Sequence, residues 1–228
     1  MSKYDINSNP VLVRHMIETE KKATEKYYKE HPDALTLKFE KELRELGYEF
    51  EVLSQVKGFM PKHKEVILPI AVKYYQEAKE NDKDFFLSLL RFKGFDEVVP
   101  MLLDDFFNPT TTHLTREFIG EAMWKIRSKK YINKYIEILL NPEYESNYLF
   151  IVHLVSGLKV EAAVPIFIKM LDNDSISILG IIALSKYKRE EFRSCFERFV
   201  NDKNSYLRKC AIAALKRIDS VGDRRRIE

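Results

Sequence analysis

The clearest structural signal in this sequence is Asn201-Asp-Lys-Asn-Ser-Tyr-Leu-Arg-Lys-Cys-Ala-Ile-Ala-Ala-Leu-Lys-Arg-Ile218. Its apolar residues fall at helical spacing and form one stripe, with small side chains where a neighbouring helix must come close. We expect Asp202, Asn204 or Ser205 to cap the start of this helix, because their side-chain oxygens accept hydrogen bonds from free backbone N–H groups. The stripe consists of Leu207, Ala211, Ala214, Leu215 and Ile218.

Weaker copies of this pattern recur along the chain. The repeated phrase is a small or apolar residue, an apolar residue, two variable residues and an apolar residue. Its copies begin at Ser88, Ala122, Leu154, Ala183 and Ala214, at steps of 34, 32, 29 and 31 residues. A second phrase, two apolar residues followed by Asn or Asp, precedes the last four copies and ends at Asn108, Asn141, Asp172 and Asn201. Two phrases repeating in phase predict an α-helical solenoid with two helices per unit.

The repeat assigns ten helices. The first helices of the pairs are predicted at residues 64–79, 96–107, 130–140, 160–171 and 189–200, and the second helices at 84–92, 113–127, 146–158, 175–187 and 205–218. Two further helices are expected upstream. The first begins at Asn9-Pro10 and stops at His31-Pro32, and the second spans about residues 34–46 and stops at Gly47. A short helix is expected before Gly58.

The last repeat resembles the second helix of a HEAT repeat. Arg208 is followed by Ala211 three residues later and by Ala214-Leu215 six and seven residues later. Arg116 stands in the same relation to Ile119, Ala122 and Met123. The two middle copies depart from this pattern, since Tyr148 and Ser177 occupy the arginine position. The resemblance covers roughly residues 64–218, is best over the last two units, and is to the small bacterial HEAT-repeat proteins.

This resemblance implies an all-α fold, a right-handed α-α superhelix of the HEAT or armadillo type with about five helical pairs. Residues 1–228 would form a single solenoid domain. Within it, residues 1–60 form an N-terminal helical cap, residues 61–218 the helical repeats and residues 219–228 a frayed tail. The family implies a habit of binding partners and carries no shared catalytic residues.

Composition indicates a soluble, cytoplasmic protein. Charged residues make up 32% of the chain, the net charge is +3, and no run of about 18 apolar residues suggests a membrane span. The N-terminus lacks the apolar core of a signal peptide. Cys195 and Cys210 read as small core residues in a reducing compartment. A charge of +3 is too small to favour nucleic acid as the partner.

No catalytic, metal-binding or cofactor-binding signature occurs in the sequence. One enzyme class with HEAT-like folds, the alkylpurine DNA glycosylases, combines tryptophans, an acid and basic residues on its concave surface. This chain has one tryptophan, Trp124, with Glu121 three residues before it. We therefore expect a non-enzyme without a cofactor, and keep a nucleic-acid binder or such a glycosylase as the alternative.

Two second helices are apolar nearly all round, around residues 148–155 and 176–184. A surface helix normally has a polar face, so some of these side chains are expected to form an apolar patch on the concave side that binds a partner. The alternatives are burial between neighbouring helices, cover by the N-terminal arm, or a homodimer interface. The candidate residues are Tyr148, Leu149, Val152, His153, Ile178, Ile181 and Ile182.

Charge is sorted between the two kinds of turn. Turns before second helices are acidic or neutral. The helix dipole explains this sorting, because it favours acids at helix starts and bases at helix ends. The sorting also places a basic ribbon on one edge, able to steer an acidic partner. Turns after second helices carry Arg91, Lys93, Arg127, Lys129, Lys130, Lys159, Lys186, Lys188, Arg189, Lys216 and Arg217.

The sequence therefore predicts a non-catalytic binding or scaffold module that holds a protein or peptide in a concave groove. The central units would supply apolar contacts, and flanking residues would supply charge and an aromatic ring. The flanking candidates are Arg116, Glu121, Trp124, Arg208 and Lys209.

Overall fold

The computed structural model describes residues 9–225, apart from the side chains of residues 81 and 221–225. Within that range the chain forms thirteen α-helices and no strand, which confirms the all-α class. The helices are α1 (Pro10–Glu30), α2 (Leu35–Glu45), α3 (Val56–Phe59), α4 (Lys64–Glu77), α5 (Lys83–Leu90), α6 (Val99–Phe107), α7 (His113–Ile126), α8 (Ile132–Leu140), α9 (Tyr148–Gly157), α10 (Val164–Met170), α11 (Ser177–Ser185), α12 (Arg193–Glu197) and α13 (Ser205–Arg225).

The chain divides into two compact units, Met1–Phe92 (unit 1) and Lys93–Glu228 (unit 2). Unit 1 contains α1 to α5, and unit 2 contains α6 to α13. The division falls inside the region 61–218 that the sequence predicts as one run of repeats. It places the predicted pair α4–α5 with the N-terminal helices.

In unit 1 the residues predicted to start and stop α1 and to stop α2 act as expected. The side chain of Asn9 accepts hydrogen bonds from the backbone N–H groups of Val11 and Leu12, and α1 ends just before His31. Gly47 follows α2 with a positive φ of 86°, a conformation that glycine adopts without a steric cost. The predicted short helix, α3, contains Gly58 rather than ending before it.

Helix α1 has no fully buried residue, and polar contacts contribute to its attachment to the rest of unit 1. The carboxylate of Glu20 accepts from the backbone N–H and the hydroxyl of Ser54, at 3.0 and 2.7 Å. The core of unit 1 lies elsewhere, where the buried ring of Phe39 on α2 meets Tyr74 on α4 and Phe86 on α5 at centroid distances of 5.6 Å.

Unit 2 consists of four helix pairs: α6–α7, α8–α9, α10–α11 and α12–α13. In each pair the two helices pack together, and the second helices also pack against one another in the order α7, α9, α11, α13. The residues that begin the repeated phrase lie in this packing. Three of them, Ala122, Ala183 and Ala214, are 0% exposed. Unit 2 therefore contains a row of second helices, each covered by its own first helix.

Three of the first helices begin three or four residues later than predicted. A short 3-10 turn precedes each of α6, α10 and α12. In α6 and α10 a proline, Pro100 or Pro165, occupies the first turn. Proline suits that place because its φ is already helical and the missing N–H would have no partner there.

One side chain from the second helix holds the turn within a pair. Arg116 donates from Nε to the carbonyl oxygen of Phe106 and from a terminal nitrogen to that of Asn108, both at 2.9 Å. In the next pair the hydroxyl of Tyr148 donates to the carbonyl oxygen of Asn141 at 2.8 Å. Tyrosine thus replaces arginine as the donor to a carbonyl left free at a helix end.

In the last pair Arg208 repeats this arrangement, since it donates to the carbonyl oxygens of Asp202 and Lys203. Arg116, Tyr148 and Arg208 are expected from the sequence to bind a partner. Each of them donates at least one hydrogen bond to the backbone of its own turn and so braces the fold, and the expected role in partner binding stays a prediction.

The Asn/Asp phrase also has a structural role, as the side-chain oxygen accepts from the backbone N–H two residues later. Such local turns stop a helix and reverse the chain. The acceptors are Asn108, Asn141, Asn173 and Asp202, at distances of 3.0, 3.0, 3.1 and 2.7 Å. In the last two copies the residue that makes the turn is therefore one position later than the sequence phrase indicates.

Helix α13 differs from its prediction at one end. Asn204 caps it as expected, accepting from the backbone N–H groups of Tyr206 and Leu207. The predicted end at Ile218 is wrong, because the helix continues to Arg225. The rest of the predicted tail, residues 226–228, lies outside the described residues.

Tyr135 on α8 is fully buried, and its hydroxyl has no hydrogen-bond partner among the described residues. We expect Tyr135→Phe to leave the free energy of unfolding unchanged or to raise it, since it removes an unsatisfied buried polar group. Tyr148→Phe and Tyr187→Phe are matched controls, because their hydroxyls donate to backbone carbonyls at 2.8 Å. Each control should lose about 1 kcal/mol in chemical denaturation. An equal loss in free energy of unfolding for all three variants would contradict the conclusion that the hydroxyl of Tyr135 is an unsatisfied buried group.

Candidate functional site

Three second helices of unit 2 end on a basic residue in the left-handed conformation. Arg127, Lys159 and Lys188 have φ values of 61°, 60° and 55°. Each lies five residues after the start of the repeated phrase, so the three occupy the same repeat position. Left-handed backbone at a helix end usually falls to glycine, as it does in this chain at Gly47 and Gly94.

These three side chains lie along one cleft, which we call the basic cleft. It has a volume of about 530 Å³ and is open on one side. We call Arg127, Lys159 and Lys188 the rim cations and Lys186 and Arg217 the floor cations; Lys186 is half-buried and the other four are exposed. The cleft is lined by Trp124, Arg127, His153, Gly157, Lys159, Ser185, Lys186, Lys188 and Arg217.

Hydrogen bonds hold the two floor cations in place. The ammonium of Lys186 lies 3.1 Å from both Nδ1 and the carbonyl oxygen of His153. A terminal nitrogen of Arg217 donates to the hydroxyl of Ser185 at 2.8 Å. Three second helices, α9, α11 and α13, therefore fix the two charges relative to each other.

Gly157 leaves room at the centre of the cleft. It lies three residues after Leu154, the start of its repeat, and the equivalent residues of the next two repeats are Lys186 and Arg217. The guanidinium of Arg127 reaches into this space and donates to the carbonyl oxygen of Gly157 at 3.1 Å. One rim cation is thereby anchored to the next helix.

Little negative charge from the part of the chain that the structure describes balances the cleft cations, since Glu161 acts on Lys159 but forms its ion pair with Arg189. None of the five cations forms an ion pair there, and no acidic side chain lines the cleft. Burial, followed by the neighbouring Lys159, Arg127 and Arg217, lowers the pKa of Lys186 to about 8. Burial and the nearby Lys188 likewise lower the pKa of Lys159. The site thus concentrates positive charge that an anion would stabilise.

An aromatic group borders the cleft. The ring of Trp124 lies 5.6 Å from that of Phe150 and 5.8 Å from that of His153, between ring centroids. The ammonium of Lys125 lies 4.3 Å from the centre of the indole ring. Burial and the adjacent Lys186 lower the pKa of His153, which favours its neutral form and its role as an acceptor.

The structure distributes the expected binding residues over several places. Only Trp124 and His153 line the basic cleft. Val152 and Ile181 are 0% exposed, which differs from the expected patch, because α9 and α11 each lie between two neighbouring second helices and against their own first helix. Ile178 and Ile182 are half-buried, and Leu149 is 39% exposed.

Two further candidates lie outside the cleft. Glu121 is half-buried on α7 and does not line the cleft. Lys209 is exposed on α13 and does not line it either. The aromatic–acid pair that the sequence suggests, Trp124 with Glu121, is therefore not a feature of this cleft.

Sequence reasoning assigned no binding role to the five cleft cations individually, although the basic turns include all of them. The sequence feature that could have identified them as one site is their common position in the repeat. Arg127, Lys159 and Lys188 align exactly, and Lys186 aligns with Arg217.

Comparison of the chain with models of known protein families, with curated proteins and with solved structures finds no match. Among residues 9–225, no helix is both long and apolar enough to cross a membrane. The same residues contain no group of three or more His, Cys, Asp or Glu side chains placed to hold a metal ion.

The lowered pKa of Lys186 predicts a pH-dependent contribution to stability. The folded pKa, about 8, lies below the ordinary value of 10.5, so the folded state loses this proton first and becomes more stable as pH rises between these values. We expect Lys186→Met to exceed the wild type in free energy of unfolding by more at about pH 7.5 than at about pH 10.5. Denaturant titrations at both pH values measure this difference. Lys209→Met, an exposed control, should show no such change, and a constant difference for Lys186→Met would contradict the assignment.

Proposed function

We propose that this protein is a non-catalytic binding module whose unit 2 takes an anionic segment of a partner into the basic cleft. The observation that carries this proposal is the basic residue in left-handed backbone at the ends of α7, α9 and α11. A non-glycine residue in that conformation costs about 1 kcal/mol. The chain bears this cost three times, each time with a cation facing one cleft.

The electrostatics of the cleft support the same function. Like charges in a half-buried site repel one another, and the lowered pKa of Lys186 and Lys159 reflects burial and that repulsion. An anion in the cleft relieves the repulsion and gains charge-assisted hydrogen bonds from several donors. Strained backbone and unfavourable charge at one place are typical of binding sites.

We also propose a HEAT-like architecture for the repeats. The support is the phase of the two sequence phrases together with the turn braces Arg116, Tyr148 and Arg208. In this proposal the second helices present the binding face, as the HEAT resemblance implies. Ile178, Ile182 and Leu149 would then supply apolar contacts beside the cleft.

Two classes of partner remain from the sequence: a protein or peptide with an acidic segment, and a nucleic acid. Both place anions against the cleft. The proposal contains no chemical step, and the cleft lining includes no acidic side chain that could take part in glycosidic bond cleavage. We place the protein in the cytoplasm, since the composition suits a soluble chain in a reducing compartment.

The triple variant Arg127→Gly/Lys159→Gly/Lys188→Gly separates function from stability. Each substitution relieves left-handed strain, so we expect a higher free energy of unfolding, by about 0.5–1 kcal/mol per site. The same change removes the rim and should weaken binding of both poly-glutamate and a dT oligonucleotide by about tenfold or more, equivalent to about 1.4 kcal/mol. Denaturation and fluorescence anisotropy measure the two effects.

Lys209→Gly is the matched control. It also replaces lysine by glycine, but in the interior of α13 and outside the cleft, so it should lose about 1 kcal/mol of stability and keep its affinity. The proposed function is wrong if the wild type binds neither anion at about 50 mM salt, or if the triple variant binds both as tightly as the wild type.

A further inference from the structure

We propose that the anionic partner of the basic cleft is a single-stranded nucleic acid. Its phosphates lie along the rim of Arg127, Lys159 and Lys188 and over the floor cations, and one of its bases packs against Trp124. This inference rests on the proposed function, since it names the partner of the same cleft.

The rim favours a polymer whose charge repeats regularly. Its three cations come from the same position of consecutive repeats, at sequence steps of 32 and 29 residues. Neighbouring packed helices lie about 8–10 Å apart, so the rim is a row of charges at nearly even intervals. A nucleic acid carries one phosphate on every nucleotide, so its phosphates can contact such a row of cations whatever the base sequence. A peptide meets it only where acidic residues happen to have the right spacing.

The floor favours phosphate over carboxylate. Its donors approach from different helices, because Lys186 belongs to the end of α11 and Arg217 to α13, while Arg127 reaches in from the end of α7. A carboxylate has two oxygens in one plane, whereas a phosphate presents oxygens in several directions. Donors that reach one cleft from three helices suit oxygens that point in several directions, as those of a tetrahedral oxyanion do.

Trp124 favours exposed bases. Its ring is half-buried against Phe150 and His153, which anchors it, and it borders the cleft beside the cations. Stacking of a base on an aromatic side chain contributes in a way that tolerates any base sequence. The exposed Lys125 now lies over this ring, and a base would take its place while the ammonium moves to a phosphate. Bases of a duplex are stacked on one another, so only a single strand offers this contact.

Fluorescein-labelled dT of about 12 nucleotides is the direct probe, with anisotropy as the readout at about 50 mM salt and above. A single strand releases about 0.7 counterion per neutralised phosphate, so five cations predict a slope of log K against log salt near about −3.5. The triple glycine variant keeps two of the five cations and should show a slope near about −1.4. An unchanged slope in that variant would overturn the rim assignment.

Trp124 is the only tryptophan, so its fluorescence reports on the cleft in the wild type without any substitution. We expect quenching on addition of unlabelled dT, and less on addition of poly-glutamate. Trp124→Leu should weaken dT binding by about 5-fold to 100-fold at an unchanged salt slope, because it removes stacking and leaves every cation. If this variant loses its helical signal in circular dichroism, the wild-type quenching decides, and no quenching on dT binding overturns the base contact.

Gly157 provides an independent pair of variants. Gly157→Glu places a carboxylate within reach of Arg127 at the centre of the cleft and should abolish dT binding, whereas Gly157→Gln adds nearly the same bulk without charge. The expected result is at least tenfold weaker binding for the glutamate than for the glutamine variant. Equal affinities would show that the strand binds elsewhere.

The competitors separate this inference from the function on which it rests. Displacement of labelled dT by unlabelled dT or by rU supports a single strand, and the ratio of the two shows whether deoxyribose or ribose is preferred. Displacement by a duplex at equal or lower phosphate concentration would overturn the single-strand proposal. Cleft-dependent binding of poly-glutamate without binding of dT would overturn it too, and would leave the anion-binding function standing. If the protein binds neither poly-glutamate nor dT, both the anion-binding function and the single-strand inference are wrong.

Discussion

The close packing of the second helices in unit 2 is the constraint on which its remaining features depend. Small residues make close packing feasible, and Gly180 on α11 shows how little space is left between that helix and its own first helix, α10. A Cβ atom on Gly180 would lie 2.7 Å from the carbonyl oxygen of Phe167 and 2.9 Å from the side chain of Leu171. Because the helices are close and in register, their C-terminal ends also come together. This register brings the cations of the basic cleft close to one another.

The braced turns extend the same constraint to the other ends of these helices. Arg116, Tyr148 and Arg208 each tie the start of a second helix to carbonyl groups of the turn before it. The second helices α7, α9 and α13 are thereby held at their starts as well as packed along their sides. At the other ends of the second helices, Lys186 and Arg217 are themselves hydrogen-bonded, and such order in the free protein lowers the entropic cost of binding an anion.

Much of the fold is local enough to be predicted from sequence, and the site is not. Asn9, Gly47, Pro165 and Asn204 act through neighbouring backbone atoms, so their roles follow from sequence alone. Burial depends on partners distant in the chain. Val152 and Ile181 were expected on a surface because helical periodicity shows that a helix is apolar nearly all round, but not that neighbouring second helices cover its flanks. The continuation of α13 past Ile218 has no comparable signal, since the residues there are mainly polar.

The cleft required the relative direction of several helix ends, which a single sequence does not contain. Periodicity placed basic residues in equivalent turns, and Arg116 and Arg208 appeared equally well suited to a partner. Only coordinates separate an arginine whose donors face its own backbone from one whose guanidinium faces a cleft. Tyr148 illustrates the same limit. Its hydrogen bond to the carbonyl oxygen of Asn141 gives it the bracing role that Arg116 has in the preceding repeat, although the two side chains differ in chemistry.

The sign of the pKa shifts separates two explanations of the basic turns. If the helix dipole alone accounted for these cations, it would stabilise their charged form by about 0.3–1 kcal/mol and raise their pKa. The pKa of Lys186 and of Lys159 is instead lowered by burial and by neighbouring cations. Dipole stabilisation of that size is also no larger than the cost of left-handed backbone at Arg127, Lys159 and Lys188. The proposed function accounts for both costs, because an anion bound in the cleft would offset the burial and the repulsion of its cations.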